Sequence, residues 1–486
     1  MSRNTQSESG ISSLQAKAEQ TVFYYPPKVY SSERGNEVLY FAPDQQVVVV
    51  VNLAGQDVLK AAEEGGTADE IALRLSRGDR ELGGGIQQLV RPFLDEMVKR
   101  RFLSKEPFAN EREGRPSPER ASLELSNLYL HLTDACNLHC VYCYNACQRT
   151  ENIAQRHSGA KGIRELSDEE IREVLDDAAE EGIGTVVFTG GEPLLRNHIF
   201  NLADYAREKG ISASLLTNGT LIDREKAVRI ADLFDNVIVS LDSWIEAEYA
   251  TLRPGAPLHQ VWDGVRHLSE AGVQSLAIRP VVTSLNLASL PDFPSIAKEQ
   301  LSCTRFYPAV YLPNSPGELE TLGLFPDPET YWSTLASFFK ALDEVDGTSV
   351  KDECKLSGAG ACGAATSLLS ISASGDVYPC QSLHLDEFWA GNVRKQSLGE
   401  ILQDSPALKA FRENRWPWFK PCSECSLMAI CSSTCRVFQN VFEKRQDLFF
   451  QQMCPFFKRE CEHRLWREVD KIRLQFVSSG TPLPRG

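Results

Sequence analysis

The stretch "DACNLHCVYCYNAC", residues 134–147, sets Cys136, Cys140, Cys143 and Cys147 within a few turns of chain. Thiolates spaced by three and then two residues can turn their sulfurs onto one metal cluster. A cubane cluster has four irons, and ordinary four-cysteine ligation fills all of them; three ligands, Cys136, Cys140 and Cys143, leave one iron open. Cys147 would close that position if it ligated, and it reads instead as a packed thiol beside the cluster. The next strand-like run ends in "TGGEP", Thr189 to Pro193. Gly190 and Gly191 let a ligand approach the backbone, and the Glu192 carboxylate suits an ammonium group. Later runs end in "LTNGT" (216–220) and "SLD" (240–242), which offer Asn218 and Ser240 to a sugar or a carboxylate. Together these groups describe a site for a ligand with an amine, a carboxylate and a ribose, bound at an open iron. Asp242, Tyr249, Arg253 and Arg279 could line the same cavity, with no role that the sequence assigns.

Eight more thiols follow: Cys354, Cys362, Cys380, Cys422, Cys425, Cys431, Cys435 and Cys454. They suffice for two fully ligated cubane clusters, and a pair of zinc sites stapling a loop-rich domain would use the same residues. Cys303 and Cys461 stand apart and read as structural thiols. The opening, "MSRNTQSESGISSLQ", has neither the basic nor the apolar region of a signal peptide. The expected location is the cytoplasm, where thiols stay reduced, so metal binding or catalysis accounts for 14 cysteines better than disulfides do.

The elements that must position these groups show in the hydrophobic pattern. Residues 1–20 read as a disordered tail. In 21–105, "VLYF" and "QQVVVVV" around "APDQ" predict a β-hairpin. Asn52 caps a first helix, a Thr67–Glu70 capping box opens a second, and a third is kinked or restarted at Pro92. Residues 106–125 form a charged linker. From 126 to 345, strand-like runs alternate with helical stretches in six β-then-α units, one helix opened by a Ser167–Glu170 capping box. That alternation predicts an α/β fold with a parallel sheet, open or a partial barrel, and ligands at the carboxyl ends of its strands. The cysteine-rich region spans 346–462, and a helical tail covers 463–486.

The net charge of −15 argues against a general grip on nucleic acid. The apolar run "VVVVVNLA" is far too short to span a membrane.

At Cys136, Cys140 and Cys143, with Tyr142 before the last of them and "GGEP" at the next strand end, the chain resembles the radical S-adenosylmethionine (radical SAM) superfamily. The resemblance implies a partial (β/α)6 barrel of TIM type. Its [4Fe-4S] cluster binds S-adenosylmethionine and cleaves it after one-electron reduction to a 5′-deoxyadenosyl radical. Gly190, Gly191 and Glu192 would hold the methionine end, while Ser240 and Asn218 would contact the nucleoside or carboxylate. The downstream cysteines resemble the SPASM extension of that superfamily. Family precedent puts Cys354, Cys362, Cys380 and Cys435 on one auxiliary [4Fe-4S] cluster, and Cys422, Cys425, Cys431 and Cys454 on a second. The 21–105 unit resembles PqqD-like domains, winged-helix modules that hold a leader peptide as an added strand on the hairpin edge, beside a helix.

These resemblances imply a peptide maturase that binds a ribosomally made precursor and installs an intramolecular crosslink, most often a thioether. A flavodoxin- or ferredoxin-type protein would donate the electron. A carbon–carbon crosslink, backbone excision, epimerisation or sulfatase-type maturation are the neighbouring alternatives, and a non-catalytic iron–sulfur regulator that reads DNA is one of a different class. Three clusters predict about twelve irons per chain with little zinc. Iron, sulfide and zinc analysis of anaerobically purified protein checks this, and zinc in place of iron would return the downstream cysteines to the zinc reading.

Overall fold

The structure is a computed structural model, and it describes residues 21–77, 80–108, 125–145, 164–303, 305–313, 315–346, 362–413, 419–431 and 435–478. Cys147, Cys354 and the linker centre lie outside them. Among the described residues no helix is long and apolar enough to cross a membrane.

The N-terminal unit holds β1 (Val22–Phe23), β2 (Tyr30–Arg34), β3 (Glu37–Ala42), β4 (Val47–Asn52) and β5 (Gly66–Thr67), with helices α1 (Leu53–Ala62), α2 (Ala68–Leu75) and α3 (Arg80–Lys99). The β3–β4 hairpin forms with Ala42 opposite Val47. Asn52 Oδ1 accepts from Gly55 N at 2.9 Å, and the Thr67–Glu70 capping box is present at α2. Pro92 lies inside a continuous α3, where the sequence suggested a kink or restart. The hairpin is also not alone. β2 pairs along the outer side of β3, so the β3 edge of the hairpin is covered and the edges of this three-stranded sheet are β2 and β4.

The hairpin's "VVVVV" run serves two faces, as period-two alternation requires. Val49 and Val51 join Val38 and Tyr40 in a core with Leu59, Ile71, Leu94 and Phe102. Leu39 and Phe41 point the other way and bury against Leu427, Ile430, Leu465, Trp466 and Val469. Trp466 Nε1 donates to Ser32 Oγ at 3.2 Å, and the Arg34 guanidinium lies 4.0 Å above the Trp466 ring.

The central sheet has eight strands in the order β10-β9-β8-β7-β6-β13-β14-β15. β6 (Asn127–His131), β7 (Thr185–Thr189), β8 (Ser212–Thr217), β9 (Asn236–Val239) and β10 (Leu276–Ile278) pair in parallel. Between them run α4 (Asp168–Glu180), α5 (Ile199–Glu208), α6 (Arg224–Leu233), α7 (Glu246–Leu252) and α8 (Leu258–Glu270). α4 buries Ile171, Val174, Leu175 and Ala178, the i, i+3, i+4, i+7 stripe of a helix that covers a sheet. β7 and β8 are buried along nearly their whole length, as parallel strands covered on both faces are.

The sixth unit is reduced to β11 (Val281–Val282) against β12 (Ala309–Val310) and an Ile278–Phe306 bridge. At the opposite edge the cysteine-rich region extends the sheet. β13 (Leu368–Ile371) runs parallel to β6, with Leu369 opposite Leu128, followed by antiparallel β14 (Asp376–Tyr378) and β15 (Gly391–Asn392). One apolar core therefore continues from the barrel into the cysteine-rich region. A final helix, α9 (Cys454–Ser478), carries that region back to the N-terminal sheet.

Replacing Trp466 by Ala should lower stability by about 3–5 kcal/mol, the cost of truncating a buried aromatic. The exposed Arg34–Asp470 pair, 2.7 Å apart, should cost under about 1 kcal/mol on Asp470→Ala. Denaturant unfolding of both variants checks the contrast.

Candidate functional site

The loop after β6 carries Cys136, Cys140, Tyr142 and Cys143, and two clamps fix its path. On one side, Gly191 N donates to Thr133 O and Glu192 N to Ala135 O, each at 2.8 Å. A Cβ on Gly190, whose φ is +134°, would sit 2.3 Å from Thr133 O, and one on Gly191 would sit 2.2 Å from Ala135 O. Only glycine fits there. The two glycines thus admit the cysteine loop's own backbone, a closer constraint than the ligand approach that the sequence suggested.

On the other side, His139 N donates to Pro254 O at 2.7 Å and Val141 N to Leu252 O at 3.0 Å. Beneath the loop lies a buried ion pair. Arg253 Nε donates to Asp242 Oδ2 at 2.7 Å and Nη2 to Oδ1 at 3.1 Å. Tyr142 donates its hydroxyl to Asp242, and Val281 N reaches Asp242 Oδ1 at 2.9 Å. Arg253 Nη1 also approaches Cys140 Sγ at 3.6 Å, and Asn218 Nδ2 lies 3.9 Å from Cys136 Sγ.

Cys136, Cys140, Tyr142, Cys143, Gly190, Gly191, Asn218 and Ser240 line one cavity, as the sequence expected of a common site. Arg253 and Arg279 line it too, whereas Tyr249 is buried away from it, its hydroxyl without a hydrogen-bond partner among the described residues. Glu192 stands behind the wall, fully buried. Its carboxylate accepts from Leu194 N at 3.1 Å, Thr217 Oγ1 at 2.8 Å and Asn218 N at 2.7 Å. Burial raises its pKa to about 7 despite these donors.

The opposite wall was not legible: Tyr144, Gln381, Ser382 and Val437 complete the cavity. Gln381 and Ser382 directly follow Cys380, and Val437 is two residues past Cys435. The cysteine-rich region therefore faces the same space as the 136–143 loop.

The downstream thiols fall into two groups. Cys380 lies within electrostatic reach of Cys435 and Cys362. Cys422 lies within reach of Cys454, Cys431 and Cys425. Cys303 is buried in the main core, and Cys461 is buried beside Cys431 with its thiol 3.6 Å from Ile430 O. Burial holds the Cys140 thiol near 11 and pushes Cys380 and Cys422 to about 12. With no metal bound, thiols so raised are protonated and poor nucleophiles. Among the described residues no three His, Cys, Asp or Glu side chains converge tightly enough to grip a single ion. The 136–143 sulfurs instead line the wall of a space that a cluster would fill.

A parallel-stranded partial barrel with three cysteines at its first strand end and further cysteine groups behind it defines an iron–sulfur enzyme class. Residues 130–293 match the Radical SAM superfamily, and residues 362–426 match the SPASM iron–sulfur cluster-binding domain. The chain therefore carries a radical SAM domain followed by a SPASM domain, domains that take S-adenosylmethionine with a [4Fe-4S] cluster and auxiliary iron–sulfur clusters, respectively.

Similar proteins include Fe-coproporphyrin III synthase of Methanosarcina barkeri, 29% identical over 63% of this chain and 82% of the relative. Mycofactocin maturase MftC of Mycobacterium tuberculosis is 27% identical over 63% of this chain and 76% of the relative. PqqA peptide cyclase of Granulibacter bethesdensis is 28% identical over 64% and 82%. The fold matches the solved structure of native anSMEcpe with bound AdoMet, with a TM-score of 0.54 at 22% identity, over 72% of this chain and all of the other.

Because Glu192 holds its proton more tightly folded than unfolded, stability of the unloaded chain should fall as pH rises from 4.5 to about 7 and level off above. Glu192→Gln should remove that slope. Urea midpoints at about pH 4.5 and pH 8 for both proteins check it.

Proposed function

We propose that this chain is a peptide maturase that binds a ribosomally made precursor and installs an intramolecular crosslink, a thioether in the leading form of the reading. The carrying observation is the shared cavity: the 136–143 loop and the residues beside Cys380 and Cys435 face one space. Two relatives named as a peptide cyclase and a maturase support a peptide substrate. The 21–105 unit, read as PqqD-like, supports leader binding, with the exposed β2 edge as the strand template.

When bound, the cluster and S-adenosylmethionine supply a 5′-deoxyadenosyl radical. Cys136, Cys140 and Cys143 would hold that cluster. The Gly190–Gly191 turn, Asn218 and Ser240 would seat S-adenosylmethionine beside Tyr142, with Glu192 as the countercharge behind its ammonium group. Cys354, Cys362, Cys380 and Cys435 would hold one auxiliary cluster, and Cys422, Cys425, Cys431 and Cys454 the other. For a thioether the substrate would lose two hydrogens, one from carbon as an atom and one from the thiol as a proton, and the auxiliary group held by Cys362, Cys380 and Cys435 would supply the acceptor for the remaining electron. A flavodoxin- or ferredoxin-type protein is the external donor, and the cytoplasm is the compartment that suits this chemistry.

The Methanosarcina relative supports a second reading, modification of a tetrapyrrole in the same cavity. Anaerobic co-expression with a neighbouring candidate precursor separates the two. The peptide reading predicts a loss of two hydrogens in the precursor's intact mass, abolished by Cys140→Ala and absent when the leader is removed. An unchanged precursor beside a tetrapyrrole of altered mass would favour the second.

A further inference from the structure

The cavity wall carries two guanidinium groups and, among the described residues, no carboxylate. Arg253 is neutralised by Asp242. Arg279 is not: none of its side-chain nitrogens meets a hydrogen-bond or ion-pair partner among the described residues. It follows β10, its backbone N donating to Val239 O at 2.9 Å. Its charge is felt by Tyr129 of β6, on the far side of the curved sheet, and by Tyr144 of the cysteine loop. Both tyrosines also feel Cys380. Arg279 thus lines the same cavity as Tyr144, Gln381 and Ser382, within electrostatic reach of the 136–143 loop.

We propose that Arg279 anchors a carboxylate on the substrate, so that the substrate is an acid held between the two cysteine loops. A planar guanidinium fork matches a carboxylate through two parallel hydrogen bonds. The remaining wall around it is apolar or neutral, with Ile238, Val281, Val310 and Tyr311 on one side and Gln381 and Ser382 on the other. A ligand that closes this space strips water from Arg279, and in such surroundings an uncompensated cation favours an anionic group. The carboxylate belongs either to a peptide, at its C-terminus or on an acidic side chain, or to a tetrapyrrole propionate. The inference rests on this cavity being the reaction site, as proposed above, and not on the peptide reading.

The test uses the cluster-loaded protein with S-adenosylmethionine, under anaerobic equilibrium dialysis. The probes are a synthetic pentapeptide mixture as free acids or as fully amidated peptides, and coproporphyrin III as the acid or its methyl ester. Wild-type protein should retain at least one acid about tenfold better than its neutral counterpart. Arg279→Gln should bring the two to parity, Arg279→Lys should keep part of the preference, and S-adenosylmethionine retention without probe should be unchanged in both. If coproporphyrin III alone responds, the anchor stands and the peptide reading falls. Equal retention of acids and neutral forms by the wild type would overturn the proposal. So would a preference that survives in Arg279→Gln, or a loss of S-adenosylmethionine in that variant.

Discussion

Everything at this site depends on holding a short three-cysteine loop open, so that its sulfurs line a wall and do not collapse onto one another. Two contacts do this from opposite sides. The Gly190–Gly191 turn lets the backbone just after β7 press against Thr133 and Ala135 at distances that no other residue could tolerate. The Asp242–Arg253 pair underpins the loop from the end of β9, with Tyr142 and Val281 sharing the same carboxylate. An ion pair this buried contributes little net stability, since desolvation offsets much of its attraction. What it supplies is geometry: losing either member would leave a buried charge directly under Cys140.

The second constraint is that the cysteine-rich region is built into the barrel's sheet. β13 pairs with β6, the strand that delivers the cysteine loop, along four consecutive residues. Such a ladder with a common apolar core gives no room for a hinge between the two cysteine groups facing the cavity. The N-terminal sheet is tied in from the other end, its Leu39 and Phe41 packing against the helix that begins at Cys454. A ligand laid along β2 would therefore sit on the same framework as the auxiliary cysteines.

Much of this was legible in the chain because it is local. Capping boxes at Thr67 and Ser167, the hairpin, the strand ends and the cysteine spacings each involve residues a few positions apart, and all three caps named from sequence formed. What stayed hidden is non-local. β2, "YSSER", is mostly polar on one side and has no apolar alternation to mark it, yet it takes the outer edge of the hairpin. The docking of β13 onto β6 brings together residues more than two hundred positions apart. Gln381 and Ser382 could have been suspected from their place next to Cys380; nothing in the sequence said that they face the 136–143 loop. For Glu192 the motif named the residue, and only the fold revealed that its carboxylate is turned into the turn of Thr217 and Asn218.

The most direct test of the account is the amount of 5′-deoxyadenosine formed when the anaerobically reconstituted protein meets dithionite and S-adenosylmethionine. The account predicts formation that disappears in Cys136→Ala, Cys140→Ala and Cys143→Ala, while Cys425→Ala, in the downstream group with Cys422, Cys431 and Cys454, still cleaves. No 5′-deoxyadenosine from fully iron-loaded wild-type protein, or formation that survives loss of Cys140, would contradict it.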